Sequence, residues 1–153
     1  MSSKVYNRGF LCALLEDNAE AWKYFRKRWP KAKELSTQGC HSLVFSLPGD
    51  RVLKITNECN EIRVARRVKR EKPVGVVPVL AHGCWWYITP RCEVGEPGLV
   101  PDAPDVYHWD ADPWERMHRG RNIMIYNGKP VYIDMDGLGW HADKRRVARK
   151  VAA

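Results

Sequence analysis

The spacing of apolar residues predicts a helix near the start of the chain and a β-hairpin after it. Residues 16–29 carry a stripe of aromatic side chains at helical spacing, which is typical of a helix packed against a core. These aromatic residues are Trp22, Phe25 and Trp29. Residues 43–47 and 52–55 are short apolar runs on either side of a Pro-Gly-Asp turn, the pattern of two hairpin strands.

The middle of the chain changes from helical spacing to continuous apolar runs and then to a segment rich in turn residues. Residues 58–70 predict a second helix, with apolar residues on one face and arginines on the other. Residues 74–81 and 84–89 predict two buried strands joined by His82-Gly83. Residues 91–113 contain four Pro and two Gly, which favours an irregular linker.

The last third of the chain predicts one more hairpin and a basic tail. Residues 122–126 and 131–133 flank Asn127-Gly128, a strong two-residue turn signal. The tail, residues 142–153, predicts a short basic helix or a frayed end. The order of elements indicates an α+β fold with a largely antiparallel sheet, in a single compact domain over residues 1–153.

The net charge of the chain indicates which classes of molecule it can bind. The chain has 26 Lys and Arg against 18 Asp and Glu, a net charge of +8. The excess is concentrated in residues 23–33, 63–72 and 144–150. Basic faces of this kind attract phosphates, nucleic acid or an acidic protein, although each cluster is also explained by a solvated helix face.

Cysteine usage and hydropathy exclude several classes of protein. The five Cys are odd in number and show no C-x-x-C spacing, which disfavours a zinc site or a disulfide framework. No apolar run is long enough for a signal peptide or for the roughly 18 residues of a membrane span. We therefore expect a cytoplasmic protein with no membrane partner.

A candidate phosphate-binding site lies in the predicted hairpin near residue 50. Gly39 and Ser42 belong to a turn of small residues at the start of its first strand, where backbone N–H groups could approach phosphates. Lys54 lies on the second strand and would pair with those phosphates if its side chain points inward. A solvent-exposed strand lysine is the alternative interpretation.

A lysine that binds phosphate needs a carboxylate to hold it in place, and the following helix offers Glu58, Glu61 and Glu71. Glu61 falls on the same helical face as the apolar Ala65 and Val68, so we select it. In the alternative interpretation all three glutamates are surface residues that neutralise neighbouring arginines at helical spacing.

A second set of polar residues surrounds the last hairpin. Asn122 precedes it and Asp134 and Asp136 follow it, so pairing of the two strands brings these side chains together at its base. Amide and carboxylate oxygens are ligands that Mg²⁺ prefers, and His118 would brace the preceding loop by hydrogen bonding. Alternatively, Asn122 caps a turn and the two Asp residues end a strand.

These motifs resemble the early serine/threonine protein kinases of short-tailed lytic bacteriophages, a divergent branch of the protein-kinase-like fold. The resemblance covers most of residues 15–140. Its motifs are His118-x-Gly120-x-Asn122-Ile123-Met124, Asn127-Gly128, Tyr132-Ile133-x-x-Asp136, Trp140, Arg51-Val52-x-Lys54 and, more weakly, Gly39-x-x-Ser42.

The resemblance implies a reduced kinase-like domain that uses ATP and Mg²⁺. Lys54 would contact the phosphates. Asn122 with Asp134 or Asp136 would hold the metal. Spacing from Tyr132 does not distinguish the two Asp, whereas spacing to Trp140 favours Asp136.

The chain departs from this family at the catalytic base. Kinases of this kind have an Asp two residues before the His, where this chain has Arg116, and Arg121 is an extra residue before the Asn. An arginine cannot accept a proton at neutral pH. A shifted carboxylate, Glu115 or Asp112, is the alternative base. Only 17 residues follow Asp136, too few for a helical substrate lobe.

Three hypotheses follow. The first is a degenerate kinase-like protein, a pseudokinase of host takeover, that binds and modulates a host protein in the host cytosol and retains nucleotide binding. The second is a minimal active serine/threonine kinase. The third is a small basic nucleic-acid-binding protein that uses the clusters at 63–70 and 144–150. The sequence leaves the target and the oligomeric state open.

Overall fold

The structure is a computed structural model that describes residues 19–35, 42–56, 58–96, 98–108 and 122–152. Three helices are present in these ranges: α1 (Ala19–Arg28), α2 (Cys59–Glu71) and α3 (His141–Ala152). Nine strands accompany them: β1 (Lys33–Glu34), β2 (Ser42–Leu47), β3 (Arg51–Thr56), β4 (Ala81–His82), β5 (Trp86–Pro90), β6 (Val106–His108), β7 (Ile123–Tyr126), β8 (Lys129–Tyr132) and β9 (Leu138–Trp140). The expected α+β class with an antiparallel sheet is confirmed.

The chain divides into two compact units. The first comprises Met1–Arg63 and Val79–Arg91, and the second Val64–Pro78 and Cys92–Ala153. The first unit is built on a five-stranded sheet in the order β1-β2-β3-β5-β4, in which all neighbouring strands are antiparallel.

One face of this sheet forms a hydrophobic core with α1. Its buried members come from α1, β2, β3 and β5: Phe25, Leu43, Phe45, Leu47, Leu53, Ile55, Trp86 and Ile88. Phe25 lies with its ring 4.9 Å from that of Phe45, and Trp29 packs against the cluster. The predicted helix is therefore confirmed for the described part of residues 16–29, and its aromatic core face is confirmed for Phe25 and Trp29, while the Trp22 side chain lies outside the described part.

The β2–β3 hairpin follows from its turn chemistry. Gly49 has a φ of 80° and Asp50 a φ of 51°, both in the left-handed region that Gly and Asp tolerate. Leu47 then pairs with Arg51 and Ser42 with Thr56. The predicted hairpin is confirmed, and so is the predicted second helix, which begins at Cys59 after the Thr56 hydroxyl accepts a hydrogen bond from the Glu58 N–H.

The second unit is organised around the β7–β8 hairpin. Asn127 and Gly128 have φ values of 51° and 76°, as a two-residue turn of type I′ requires, so this predicted hairpin is confirmed. On one side of the hairpin, Glu93 and Ile125 exchange two backbone hydrogen bonds, each N–H donating to the other residue's carbonyl. On the other side of the hairpin, the Tyr132 N–H donates a hydrogen bond to the Gly75 carbonyl, and the Tyr132 carbonyl accepts one from the Val77 N–H. Strands β6 and β9 form a separate antiparallel pair.

The prediction of a continuous strand over residues 74–81 is wrong. This segment contains only a single bridge at Val76 and the start of β4, although Val76, Val77 and Val79 are buried. Its apolar run reflects burial, while Pro78 lacks an N–H and Gly75 has a φ of 84°, so a regular ladder cannot form. The predicted linker over 91–113 also contains a strand, β6, that its proline content concealed.

The basic tail is helical: α3 confirms the helical alternative for residues 142–153 in the part that is described. Arg67 of α2 holds α3 in place, since it donates to Asp143 at 2.6 Å and to Glu71 and lies 4.0 Å over the ring of Trp140. Burial acts to lower the pKa of Arg67, but hydrogen bonds and charge attraction from Asp143 and Glu71 outweigh it and raise that pKa. Arg67 is therefore charged at any physiological pH.

None of the three helices in the described residues is long and apolar enough to cross a membrane.

We predict that Gly75→Ala destabilises the protein more than Gly98→Ala does. Both glycines have positive φ, 84° and 89°, so either change adds backbone strain of about 1–2 kcal/mol. At Gly75 a Cβ would also lie 2.6 Å from the Asp102 carbonyl oxygen, whereas at Gly98 no atom of the described residues is within 4 Å. Urea unfolding should give Gly75→Ala an additional loss of about 1–3 kcal/mol. Equal losses would contradict this account of Gly75.

Candidate functional site

Lys54 lies on the face of β3 opposite the core. Its neighbours Leu53 and Ile55 are 0% and 1% exposed within the core cluster, and strand alternation therefore directs Lys54 the other way. The lysine is half-buried and pairs in register with Tyr87 of β5. Its Nζ lies 5.6 Å from the centre of the Tyr87 ring, within the range of a cation–π contact.

Glu61, in the first turn of α2, is a buried carboxylate. Its exposed fraction is 3%, and its Oε1 accepts a hydrogen bond of 2.7 Å from the Tyr87 hydroxyl. Ala65 and Val68 are 0% and 1% exposed, which places Glu61 on the buried face of the helix. The two other glutamates considered for this position, Glu58 and Glu71, are exposed, and Glu71 pairs with Arg67.

Lys54 and Glu61 thus both interact with the Tyr87 side chain. Removing a carboxylate from water costs several kcal/mol unless hydrogen bonds and a nearby cation compensate it. Tyr87 supplies a hydrogen bond to Glu61 and an aromatic face to the Lys54 ammonium group. Chemically, this arrangement holds one positive charge in a fixed, partly desolvated position, where it can attract a phosphate oxygen.

Asn122 and Asp134 come together at the base of the β7–β8 hairpin in the second unit. Ile123 pairs with Tyr132, and one step further the Ile133 N–H donates to the Asn122 carbonyl at 3.0 Å. The chain then turns, because Asp134 Oδ1 accepts a hydrogen bond of 3.0 Å from the Asp136 N–H. Asn122 and Asp134 are half-buried and Asp136 is exposed.

The hairpin base offers Mg²⁺ the oxygen ligands that it prefers, one amide and two carboxylates. Asp134 and Asp136 follow Ile133, the backbone hydrogen-bond partner of Asn122, by one and three residues. Their carboxylate oxygens are donors of the kind that a divalent cation binds. Among the described residues no group of three or more His, Cys, Asp and Glu is placed to hold a metal by itself. A metal at this hairpin would therefore need the Asn122 amide or oxygens from a ligand.

Some predicted residues lie outside the described part of the chain. These are Gly39, His118 and Arg116, together with the alternative bases Asp112 and Glu115. Ser42 is described through its backbone and begins β2 opposite Thr56.

Tyr87 is the residue that sequence reasoning missed. Nothing in its spacing from Lys54 or Glu61 points to it, since only the register of β3 and β5 brings the three together. A prediction of that register would have been needed to find it.

Comparison with protein-family models and with curated proteins finds no match to this sequence. The resemblance to phage kinases therefore stays a prediction from short motifs. Function has to be inferred from the residues and their geometry.

We predict that Tyr87→Phe destabilises the protein by about 1–3 kcal/mol, because it leaves the buried Glu61 without this donor. Tyr24→Phe is the matched control: Tyr24 is 44% exposed, and its hydroxyl accepts a hydrogen bond from Arg28 at the surface. That change should cost less than about 0.5 kcal/mol. Urea unfolding of both variants measures the difference, and similar small losses would mean that the bond to Glu61 is unimportant.

Proposed function

We propose that this chain is a phage-type, degenerate protein-kinase-like protein that binds a nucleotide and modulates a host protein in the host cytosol. The observation that carries the proposal is the buried Glu61 and half-buried Lys54 on either side of Tyr87. In protein kinases a lysine on the third strand pairs with a glutamate of the following helix and contacts the phosphates of ATP. Lys54 is on the third strand of this sheet and Glu61 on the next helix.

The environment of Lys54 supports this role better than a purely structural one. A lysine that serves only solubility extends into water, whereas Lys54 is half-buried and lies against an aromatic ring. Its position is fixed by neighbouring groups before any ligand arrives. A preorganised cation binds phosphate with less loss of side-chain entropy than a free surface lysine does.

The hairpin base, which belongs to the second unit, supports a separate role in holding Mg²⁺. Asn122 with Asp134 or Asp136 would be its ligands. When bound, the ion would neutralise negative charge on phosphate oxygens. The protein's own contribution is to bring an amide and a carboxylate to the same end of the hairpin, through the bond between Ile133 and Asn122.

The sequence favours binding over phosphoryl transfer. Arg116 occupies the position of the base that would accept the proton of a substrate hydroxyl, and an arginine stays protonated at neutral pH. Lys54 would act on phosphate oxygens, so its function does not depend on that base. Nucleotide binding without transfer is the combination of properties that these residues predict.

We predict that Lys54→Ala weakens binding of a fluorescent ATP analogue at least about tenfold. The lost contact is a charge-assisted hydrogen bond worth about 1.5–3 kcal/mol. Lys33→Ala is the matched control, because Lys33 is an exposed lysine on a strand of the same sheet. It should leave affinity unchanged. If the wild-type protein binds no nucleotide, or if both variants bind as it does, the assignment of Lys54 fails.

We also predict that purified protein incubated with labelled ATP and Mg²⁺ transfers no phosphate to itself or to a generic protein substrate. Mg²⁺ binding to the protein, measured in parallel by calorimetry, should weaken in the double variant Asp134→Asn, Asp136→Asn. Transfer that disappears in Lys54→Ala would instead establish the active-kinase alternative. Mg²⁺ binding that is unchanged in the double variant would remove the metal from the proposal.

A further inference from the structure

The second unit carries an extensive set of exposed cations on two helices. They lie on the last turns of α2, on the residue that follows it and along α3, and all of them are exposed. The set comprises Arg66, Lys69, Arg70, Lys72, Lys144, Arg145, Arg146, Arg149 and Lys150. We call it the two-helix basic surface.

Arg67 joins the two helices that carry this surface. It belongs to α2, and its 2.6 Å bond to Asp143 and its stacking on Trp140 fix the start of α3 beside α2. Glu71 and Asp143 are the only acidic residues in residues 64–72 and 141–152, and both pair with Arg67. Arg67 thus offsets one of the two carboxylate charges, and Arg146 lies 3.9 Å from Asp143, so the nine surface cations keep a large excess of positive charge.

The remaining contacts of α3 also leave the basic side open. Lys144 lies 3.7 Å over the ring of Tyr107, and His141 packs against the same ring. No residue of α3 is buried, and Arg145, Arg149 and Lys150 all face solvent. Like charges held this close repel one another, which costs stability unless a polyanion occupies the surface.

We propose that the two-helix basic surface binds the phosphate backbone of double-stranded nucleic acid, without sequence preference. Five of its nine cations are arginines, the side chain best suited to bidentate phosphate contacts. Cations on two adjoining helices can reach successive phosphates of a regular polyanion, as sequence-independent binding requires. This activity is independent of the nucleotide site at Lys54.

The composition of the surface disfavours other polyanions. Neither α2 nor α3 has a Phe, Tyr or Trp, so the two helices themselves offer single-stranded bases no aromatic side chain on which to stack. Membrane-surface helices present bulky apolar residues, whereas α3 presents only the exposed Val147 and Val151. A folded acidic protein would match nine cations only with an unusually dense cluster of carboxylates.

The test is binding of the full chain to a fluorescein-labelled 20-base-pair DNA duplex over a series of salt concentrations. Two charge pairs are removed separately and together: Arg66→Ala with Arg70→Ala, and Arg145→Ala with Arg149→Ala. Each pair should lower the magnitude of the salt slope by about 2 and weaken binding at 0.1 M salt by roughly tenfold or more. The quadruple variant should lower the slope by about 4.

The matched control is Lys23→Ala with Lys27→Ala, which removes the same net charge from exposed positions on α1. This control should keep the wild-type slope and affinity, and a second duplex of unrelated sequence should bind equally well. The proposal is overturned if the control pair weakens binding as much as the helix pairs do. It is also overturned if poly-glutamate or phosphatidylserine vesicles displace the duplex at equal charge concentration, or if the wild type shows no salt-dependent binding. Circular dichroism of each variant separates loss of binding from loss of fold.

Discussion

The burial of one carboxylate constrains the first unit more than any other interaction. Glu61 is 3% exposed and needs a donor, and the Tyr87 hydroxyl supplies it from β5. This requirement fixes the start of α2 against the sheet at one rotation, because turning the helix by a single residue would carry the carboxylate away from its donor. It also fixes the surroundings of Lys54, whose cross-strand neighbour is that same tyrosine.

The amphipathic character of α2 explains how one helix carries two kinds of chemistry. Its buried face combines apolar packing by Ile62, Ala65 and Val68 with the single carboxylate of Glu61. Arg67 lies at the border of that face, where it is partly buried and pairs with Glu71 and Asp143. Ion pairs that stay partly exposed to solvent, as these do, contribute only about 1 kcal/mol or less each, so stacking of Arg67 on Trp140 is an important part of what holds α3 in place.

Local signals predicted much of the fold. The Pro-Gly-Asp and Asn-Gly turns determine their hairpins because their residues tolerate positive φ, and α2 follows from a helical apolar period. Strands β1, β6 and β9 have two or three residues each and exist only because distant partners pair with them. The prediction of a continuous strand over residues 74–81 was wrong because a buried apolar run has the same sequence pattern whether or not it forms a β-ladder.

Local sequence signals also predicted part of the candidate site. Helical spacing placed Glu61 on the buried face, and turn chemistry placed Asn122 beside Ile133 and hence near Asp134. Tyr87 and the Arg67–Trp140 stacking could not be predicted, since both depend on tertiary contacts between segments far apart in the sequence. Pairwise spacing along a chain carries no information about such contacts.

The energetics of the Lys54–Tyr87–Glu61 group bear on whether it serves stability or a ligand. Buried ionic groups can often be replaced by apolar residues of similar volume at no loss of stability, and sometimes with a gain. The opposite side of β3 shows that this strand can supply apolar side chains, since Leu53 and Ile55 are fully buried there. A buried carboxylate and a half-buried lysine are therefore not what packing alone would favour at this place. The proposed binding of a negatively charged ligand that needs a fixed cation would account for both, and it does not require phosphate transfer.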